Sequence, residues 1–265
     1  MSALDDEMLA LMRFVSERTI MPRWRNLATG DVIEKSQNEL VTIADREAEE
    51  FLAEALAKLA PDVPIVGEEA AHADSSVLDR LSGPCWIVDP IDGTHNYAHG
   101  RTPFGIMVAL ADGGEAIAGW IYDPVKDRFC HARRGEGAFV NGERIAARPT
   151  GSEPPVAAIS VIFLGEARRE SVNSHVAPHY RVVETPRCAA EQYPRLVLGE
   201  NDVSFFERTL AWDHAAGVLF LNEAGGKVCR PDGSPYRVDE TERTGMIGAA
   251  SPSLWDGLAA LYAKL

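Results

Sequence analysis

The segment 89–94 reads Asp-Pro-Ile-Asp-Gly-Thr and combines two carboxylates with a glycine and a hydroxyl group. The proline restricts the turn, so Asp89 and Asp92 can share one cluster of metal ions. Gly93 lets the backbone approach an anion closely, and Thr94 can begin a helix whose free N–H groups and dipole favour phosphate. The segment therefore predicts adjacent metal and phosphate sites, although an isolated D-x-x-D also fits a capped turn with solvated acids.

Three further carboxylate elements stand at predicted strand ends or helix starts. Gly67-Glu68-Glu69 follows a predicted strand, Asp45 comes three residues after the candidate helix cap Thr42, and Asp213 lies at the head of another helix. Each of them alone fits a solvated acid or a simple cap. Together with the 89–94 segment they form an ordered set that predicts one acidic site.

Composition and charge exclude several classes of partner. The 265 residues carry a net charge of -14 and are 46% hydrophobic, which indicates a globular protein. Nucleic acids and anionic membrane surfaces would repel such a chain. The longest apolar stretch, Val156 to Leu164, is far shorter than the roughly 20 residues of a spanning helix. We expect neither a nucleic-acid nor a membrane partner, and an anionic substrate would need bound divalent ions.

The N-terminus and the cysteines predict a cytoplasmic protein. Asp5, Asp6 and Glu7 precede the first apolar residues, which is the wrong charge order for a targeting peptide. The cysteines are scattered singly without C-x-x-C spacing, as buried thiols in a reducing compartment are. They are Cys85, Cys130, Cys188 and Cys229.

Helical and strand patterns alternate along the chain and predict an α/β fold. In the helix that begins near Thr42, the spacing places Glu49 on the polar face.

The segment Arg148 to Pro155 is rich in Pro, Gly, Ser and Thr, and it is the predicted boundary between two halves. The N-terminal half, 1–147, holds the main metal motifs, and the C-terminal half, 148–265, supplies Asp213 and substrate contacts. Predicted helices cover 8–14, 42–59, 189–198, 212–223 and 254–265, and predicted strands cover 63–66, 85–88, 105–111, 116–122, 128–132, 156–163, 203–206 and 245–250.

These motifs resemble those of the inositol monophosphatase family, which has Gly-Glu-Glu, Trp-Ile-Asp-Pro-Ile-Asp-Gly-Thr-type and Trp-Asp-x-Ala-Ala-Gly segments in this order. Here they are Gly67-Glu68-Glu69, Trp86 to Thr94 and Trp212 to Gly217. The stretches 35–45 and 133–139 are similar to family segments too. The resemblance covers nearly the whole chain, and it implies the layered αβαβα sandwich shared with fructose-1,6-bisphosphatase.

The resemblance also implies a magnesium centre. One Mg²⁺ would be held by Glu68, Asp89 and the carbonyl of Ile91, and a second by Asp89, Asp92 and Asp213. A third, weaker ion would lie near Glu68. Hard oxygen ligands are those that Mg²⁺ prefers, and the lack of a histidine or cysteine ligand argues against zinc.

The implied reaction is in-line attack on a phosphate monoester by a water that the ions activate. Thr94, hydrogen-bonded to Asp45, would orient or deprotonate this water, and Glu68 would assist through its ion. The resemblance further implies lithium sensitivity and a homodimer. The substrate-binding residues would be Asp92, Gly93, Thr94, Ala189, Glu207 and Asp213.

The substrate side departs from the family pattern at two places. Arg187 stands where relatives that prefer inositol phosphates have a glycine, and the interval from Glu207 to the following Trp-Asp pair is one residue shorter. Inositol 1-phosphate is the leading candidate substrate. Histidinol phosphate is the runner-up, because Glu191, Tyr193 and Glu207 could line a site for a cationic amine. NADP, a 3',5'-bisphosphate nucleotide and fructose 1,6-bisphosphate stay open, as does a metal-binding regulatory protein without turnover.

Overall fold

The computed structural model describes residues 2–28, 30–36 and 39–265, so residues 37 and 38 of the family-like stretch 35–45 lie outside the described residues. Within those ranges the fold is mixed α/β, as predicted. The helices are α1 (Ala3–Val15), α2 (Ile43–Leu59), α3 (Glu68–Ala73), α4 (Thr94–Ala98), α5 (Glu166–His175), α6 (Ala189–Leu198), α7 (Ala211–Glu223) and α8 (Pro252–Tyr262). The strands are β1 (Val32–Ser36), β2 (Glu39–Thr42), β3 (Ile65–Gly67), β4 (Cys85–Asp92), β5 (Gly105–Asp112), β6 (Glu115–Asp123), β7 (Arg128–Arg133), β8 (Gly137–Val140), β9 (Glu143–Ile145), β10 (Val156–Ile159), β11 (Arg181–Val183), β12 (Val203–Phe206), β13 (Lys227–Cys229) and β14 (Met246–Ala249).

A seven-stranded sheet of order β3-β4-β5-β6-β7-β8-β9 carries the first acidic motif. Strand β4 is parallel to β3 and antiparallel to β5, and all of its residues are buried. In a regular strand Asp89 and Asp92 would point to opposite faces, because they are three residues apart. The pairing of β4 with β5 is irregular between these two aspartates. This irregularity allows both carboxylates to reach the same site.

A five-stranded sheet of order β11-β10-β12-β14-β13 is formed by strands after residue 155. Strand β10 is parallel to both β11 and β12, whereas β14 is antiparallel to its neighbours. The loops that follow β10, β11 and β12 therefore leave the sheet at one edge. Ligands of open α/β sheets bind outside the carboxyl ends of parallel strands, so this edge is where a ligand is expected.

The helices form three layers around the two sheets. Helices α1 and α2 bury their apolar residues against one face of the seven-stranded sheet. Helices α6 and α7 pack between the sheets. Helix α8 and residues of α5 cover the outer face of the five-stranded sheet. This order is the αβαβα sandwich that the resemblance implied. None of the helices in the described ranges is long and apolar enough to cross a bilayer.

Several local predictions are confirmed, and others need correction. Helix α6 and strand β12 have the predicted bounds, and Thr42 caps α2 in a reciprocal capping box with Asp45. The predicted strand 156–163 ends at Ile159. Helix α5 was not predicted, because Val172 is its one buried residue and gives no apolar period. The boundary near residue 148 stays a prediction, although each large sheet falls within one of the two predicted halves.

The prediction that Glu49 lies on the solvated face of α2 is wrong. The side chain is buried, with a relative exposure of 8%. The helix period identified the apolar stripe but not the segment that packs beside it. That segment is the start of α3, which uses the carboxylate of Glu49.

Candidate active site

One cavity collects side chains from both sheets and from the helices between them. Its walls come from the end of β4, the start of α4, the loops after β10, β11 and β12, and the first turns of α6 and α7. Asp45 lies behind this wall and contacts it through Thr94. The predicted site residues that line the cavity are Glu68, Asp89, Ile91, Asp92, Gly93, Thr94, Ala189, Glu207 and Asp213.

A cluster of three carboxylates lies in this cavity. Oxygen atoms of Asp89, Asp92 and Asp213 lie within 4.8 Å of one another. Burial, followed by the charges of Glu68, Asp92 and Asp213, raises the pKa of Asp89 well above its ordinary value. Burial and the charge of Asp213 raise the pKa of Asp92 to about 7. Buried like charges are unfavourable unless a cation compensates them, so this all-oxygen donor set fits a hard divalent ion.

Glu68 reaches the cavity from the first turn of α3, which Glu49 holds in place. The Glu49 carboxylate accepts hydrogen bonds from the amides of Glu69 and Ala70, both at 2.8 Å. A Cβ atom at Gly67 would lie 2.3 Å from the Glu49 side chain, so a larger residue there would displace the Glu49 carboxylate. Sequence reasoning missed this role of Glu49. The available signal was its position one helical turn after Asp45, on the same face of α2.

Thr94 and Asp45 form a hydroxyl–carboxylate pair at the cavity wall. Thr94 Oγ1 lies 3.1 Å from Asp45 Oδ1 and 2.9 Å from the carbonyl oxygen of Ile91. A hydroxyl has one proton, so it donates to only one of these acceptors at a time. Asp45 is fully buried and accepts two bonds from Thr42. Burial raises the pKa of Asp45 to about 7.

The turn between β4 and α4 requires Gly93. Its φ of 84° lies in the left-handed region, and a Cβ atom would come within 3.1 Å of Cys188 Cβ. The neighbouring loop is fixed by Asn96, whose side-chain amide donates to the carbonyls of Pro103 and Pro186 at 2.8 and 2.9 Å. Sequence reasoning did not identify Asn96, because both of its partners come from other turns.

The family model for the inositol monophosphatase family matches residues 7–264. This chain belongs to that family. It is 33% identical over 220 residues to the inositol-1-monophosphatase of Bacillus subtilis, covering 82% of this chain and 81% of the relative. It is 33% identical over 232 residues to the fructose-1,6-bisphosphatase/inositol-1-monophosphatase of Thermotoga maritima, covering 84% and 83%. The structure of the extragenic suppressor protein SuhB from Bartonella henselae has a TM-score of 0.82 at 26% identity, with 99% of both chains covered.

Membership in the inositol monophosphatase family makes the chain a phosphoric monoester hydrolase.

A buried hydrogen-bond network joins α6, α7 and the loop after β12. Tyr193 Oη lies 2.8 Å from His214 Nδ1, and His214 Nε2 lies 3.0 Å from the Arg208 carbonyl oxygen. Because a carbonyl only accepts, we assign the proton to Nε2 and the Tyr193 hydroxyl as donor to Nδ1. Burial lowers the pKa of His214 to about 3, so the ring is neutral.

The prediction that Glu191 and Tyr193 line the substrate site is wrong. Glu191 lies outside the cavity lining, where it accepts bonds from Lys126 at 2.9 Å, Arg128 at 2.5 Å and Arg195 at 3.0 Å. Tyr193 is fully buried. The Glu191 side chain is therefore directed toward three basic residues, two from a distant segment and one from the same helix, and not toward the cavity. Of the acidic and aromatic group proposed for a cationic amine, Glu207 alone lines the described cavity.

Proposed function

We propose that this protein is an Mg²⁺-dependent phosphatase that hydrolyses a small polyol-type phosphate monoester such as inositol 1-phosphate. One observation carries the proposal: a cluster of three carboxylates, two of them buried, shares a cavity with Thr94, whose hydroxyl pairs with Asp45. The names of the Bacillus subtilis and Thermotoga maritima relatives refer to phosphate esters of this polyol type. Metal ligands and a water-orienting pair side by side are what hydrolysis of such an ester requires.

The acidic residues would hold two Mg²⁺ ions. One ion would be held by Glu68, Asp89 and the carbonyl of Ile91, and the other by Asp89, Asp92 and Asp213. A third, weaker ion would lie near Glu68. The raised pKa values of Asp89 and Asp92 support this role, because both carboxylates are crowded by like charge until a cation binds. When bound, such ions lower the pKa of water and offset the charge of the phosphate.

Thr94 and Asp45 would orient the attacking water. With the Ile91 carbonyl directed to an ion, the single hydroxyl proton of Thr94 goes to Asp45 Oδ1. The oxygen of Thr94 then has lone pairs that accept a hydrogen bond from water. Asp45 is a suitable end point for that proton chain, because burial disfavours its charged form. Glu68 would assist through its ion.

The remaining site residues would bind the substrate. Backbone N–H groups of Gly93 and Thr94 would hold the phosphate, since a helix starts there. Asp92 and Asp213, which also face the cavity, would contact hydroxyl groups close to the ester. Ala189 and Glu207 would contact the rest of the polyol, and their place on the cavity wall supports this assignment.

Phosphate release from a substrate panel tests the proposal. The panel contains inositol 1-phosphate, histidinol phosphate, NADP, adenosine 3',5'-bisphosphate and fructose 1,6-bisphosphate, each with Mg²⁺ and with a chelator. We expect release with Mg²⁺ only, and its loss in Asp213→Asn. The exposed Asp62→Asn is the control and should keep full activity. No release from any ester would exclude the enzyme and leave a regulatory metal-binding protein.

We further propose a homodimer in a reducing cytoplasm with lithium-sensitive activity. The four cysteines are all free thiols, three of them buried, which supports the reducing compartment. Size-exclusion chromatography with light scattering measures the oligomer. Inhibition by millimolar Li⁺ in the phosphate-release assay measures the sensitivity. A monomer or an insensitive enzyme would overturn the corresponding part of the proposal without affecting the phosphatase.

A further inference from the structure

We propose that Arg187 and Arg208 form a second anion-binding subsite in the cavity, so that the natural substrate is a phosphate monoester with another anionic group. That group is a carboxylate or a second phosphate. The inference rests on the proposed phosphatase function. It specifies in addition that the part of the substrate left after hydrolysis carries a negative charge.

The topology of the five-stranded sheet brings the two arginines to one edge. Arg187 lies between β11 and α6, and Arg208 lies between β12 and α7. Their strands flank β10 and are both parallel to it, so the loops after all three strands leave at the same end. Both arginines line the cavity that holds the carboxylate cluster. A ligand in that cavity is therefore close to two positive charges.

Phe163 helps to orient one of these charges. It follows β10, the strand between the other two, and it also lines the cavity. The guanidinium carbon of Arg208 lies 4.6 Å from the centroid of its ring. Contact with an aromatic ring restricts the movement of a guanidinium group and leaves its charge in place. Arg208 is thus a positioned charge in the cavity and not a mobile surface charge.

Arg187 is held in an unusual backbone conformation. Its φ is 53°, in the left-handed region, which is unfavourable for a residue with a Cβ. A glycine would adopt this conformation without strain. The side chain is exposed, and among the described residues its guanidinium has no ion-pair partner. The chain therefore carries an arginine at a place where backbone geometry favours glycine, which is consistent with a use for the side chain.

The charges of the cavity favour an anion over a neutral or cationic group at this end. A neutral polyol needs no guanidinium, whereas carboxylates and phosphates bind such groups in pairs of charge-assisted hydrogen bonds. A cationic amine would be repelled by the two arginines, and of the two acids proposed for it Glu191 lies outside the cavity lining, which leaves Glu207 alone to offset them. Arg208 Nη2 lies 3.8 Å from Asp213 Oδ2, and bound metal would share the charge of that aspartate. The arginines then add positive charge to the cavity beside the carboxylate cluster.

Matched ester pairs test the subsite. Glycerol 3-phosphate and 3-phosphoglycerate differ only by a hydroxymethyl and a carboxylate group, and fructose 1-phosphate and fructose 1,6-bisphosphate differ by one phosphate. We expect kcat/KM of the wild type to be about tenfold higher or more for the anionic member of at least one pair. The pair that shows the preference separates a carboxylate from a phosphate as the recognised group.

Arg187→Gly is the decisive variant, because glycine suits the backbone and the fold is expected to be at least as stable. It should lower kcat/KM for the anionic ester by about tenfold and change that for the neutral ester by less than about twofold. Arg187→Lys should retain part of the preference. Arg181→Ala removes an exposed arginine from the adjoining strand β11 and should change neither value. Equal losses on both esters, or a wild-type enzyme without preference, would overturn the subsite.

A binding measurement separates this inference from the phosphatase proposal. Calorimetry with Mg²⁺ compares 4-phosphonobutyrate with butylphosphonate, which have the same chain length and are not hydrolysed. If the protein releases no phosphate from any ester, tighter binding of 4-phosphonobutyrate that is lost in Arg187→Gly still supports the subsite. Equal affinity of the wild type for both phosphonates, in a protein that hydrolyses the neutral esters, overturns the subsite and leaves the phosphatase in place.

Discussion

The carboxylate of Asp92 accepts a hydrogen bond of 2.6 Å from the backbone amide of Ala190, a residue 98 positions further along the chain. Asp92 ends a strand of the seven-stranded sheet, and Ala190 lies in the first turn of α6. Helix α6 has no side-chain cap of its own. A carboxylate of the acidic cluster therefore also caps a helix that borders the cavity, and it connects the proposed metal ligands with the proposed substrate contacts.

Asp92→Asn and Asp92→Ala should separate these two roles. The asparagine keeps an acceptor for the Ala190 amide but loses the charge, so activity should fall by more than about a hundredfold while the melting temperature without Mg²⁺ is unchanged or raised. The alanine also removes the cap and should lower the free energy of unfolding by about 1 kcal/mol. Phosphate release and thermal unfolding with and without Mg²⁺ measure both effects. Near-native activity of Asp92→Asn would contradict the metal assignment.

Thr94→Val should reduce kcat with little change in stability. Valine has nearly the same shape as threonine but cannot donate to Asp45 or accept from water. A loss of about a hundredfold or more is expected for a group that orients the nucleophile. Thr94→Ser keeps the hydroxyl and is the matched control, so it should retain most of the turnover. Steady-state kinetics decide the point, and equal activity of the valine and serine variants would exclude the hydroxyl from the reaction.

Glu49→Ala should weaken Mg²⁺ binding from a distance. The change leaves the amides of Glu69 and Ala70 without their carboxylate acceptor, which should cost about 1–3 kcal/mol of unfolding free energy. The first turn of α3 then loosens, and Glu68 with it, so half-saturation needs more Mg²⁺. The exposed Glu54→Ala on the same helix is the control. Titration of activity with Mg²⁺ measures the shift, and an unchanged titration with lowered stability would make Glu49 a purely structural residue.

Asp5 should make the stability of the folded chain depend on pH. It lies almost fully buried in the first turn of α1 and accepts hydrogen bonds from Trp120 Nε1 at 3.0 Å and Arg133 Nη2 at 3.1 Å. Although burial alone would raise it, bonds from Ser2, Trp120 and Arg133 lower the pKa of Asp5 below its ordinary value of 3.8. The contribution is therefore present above the unfolded-state pKa and is lost as the pH falls toward the folded-state pKa.

We accordingly expect Asp5→Asn to lower the free energy of unfolding by about 2 kcal/mol at neutral pH. The difference from the wild type should shrink as the pH falls below about 4. Urea unfolding at a series of pH values measures it, and Asp62→Asn, an exposed acid, should show no such trend. A difference that grows toward low pH would contradict the assigned direction of the Asp5 pKa.

Sequence patterns predicted best those parts of the site whose causes are local. The strand that delivers Asp89 and the Thr42 cap of α2 follow from short apolar runs and neighbouring polar groups. The helix spacing could not predict Glu49, because a period shows which face is apolar and not which segment packs beside the other face. The prediction that Glu191 lines the substrate site failed for the same reason, since two of the three basic partners of Glu191 lie more than sixty positions away in the sequence. Contacts with segments distant in the sequence decided both cases, with backbone amides for Glu49 and basic side chains for Glu191.

The arrangement of α7 between the two sheets has a consequence for how the chain is made. Asp89 and Asp92 emerge from the ribosome well before α7, which brings Asp213. A nascent or truncated chain that has formed only the seven-stranded sheet possesses part of the acidic cluster, without its third carboxylate and without the substrate wall. On the proposed metal assignment, catalytic competence is acquired only late in synthesis, when α7 docks, and a fragment ending before α7 would be inert.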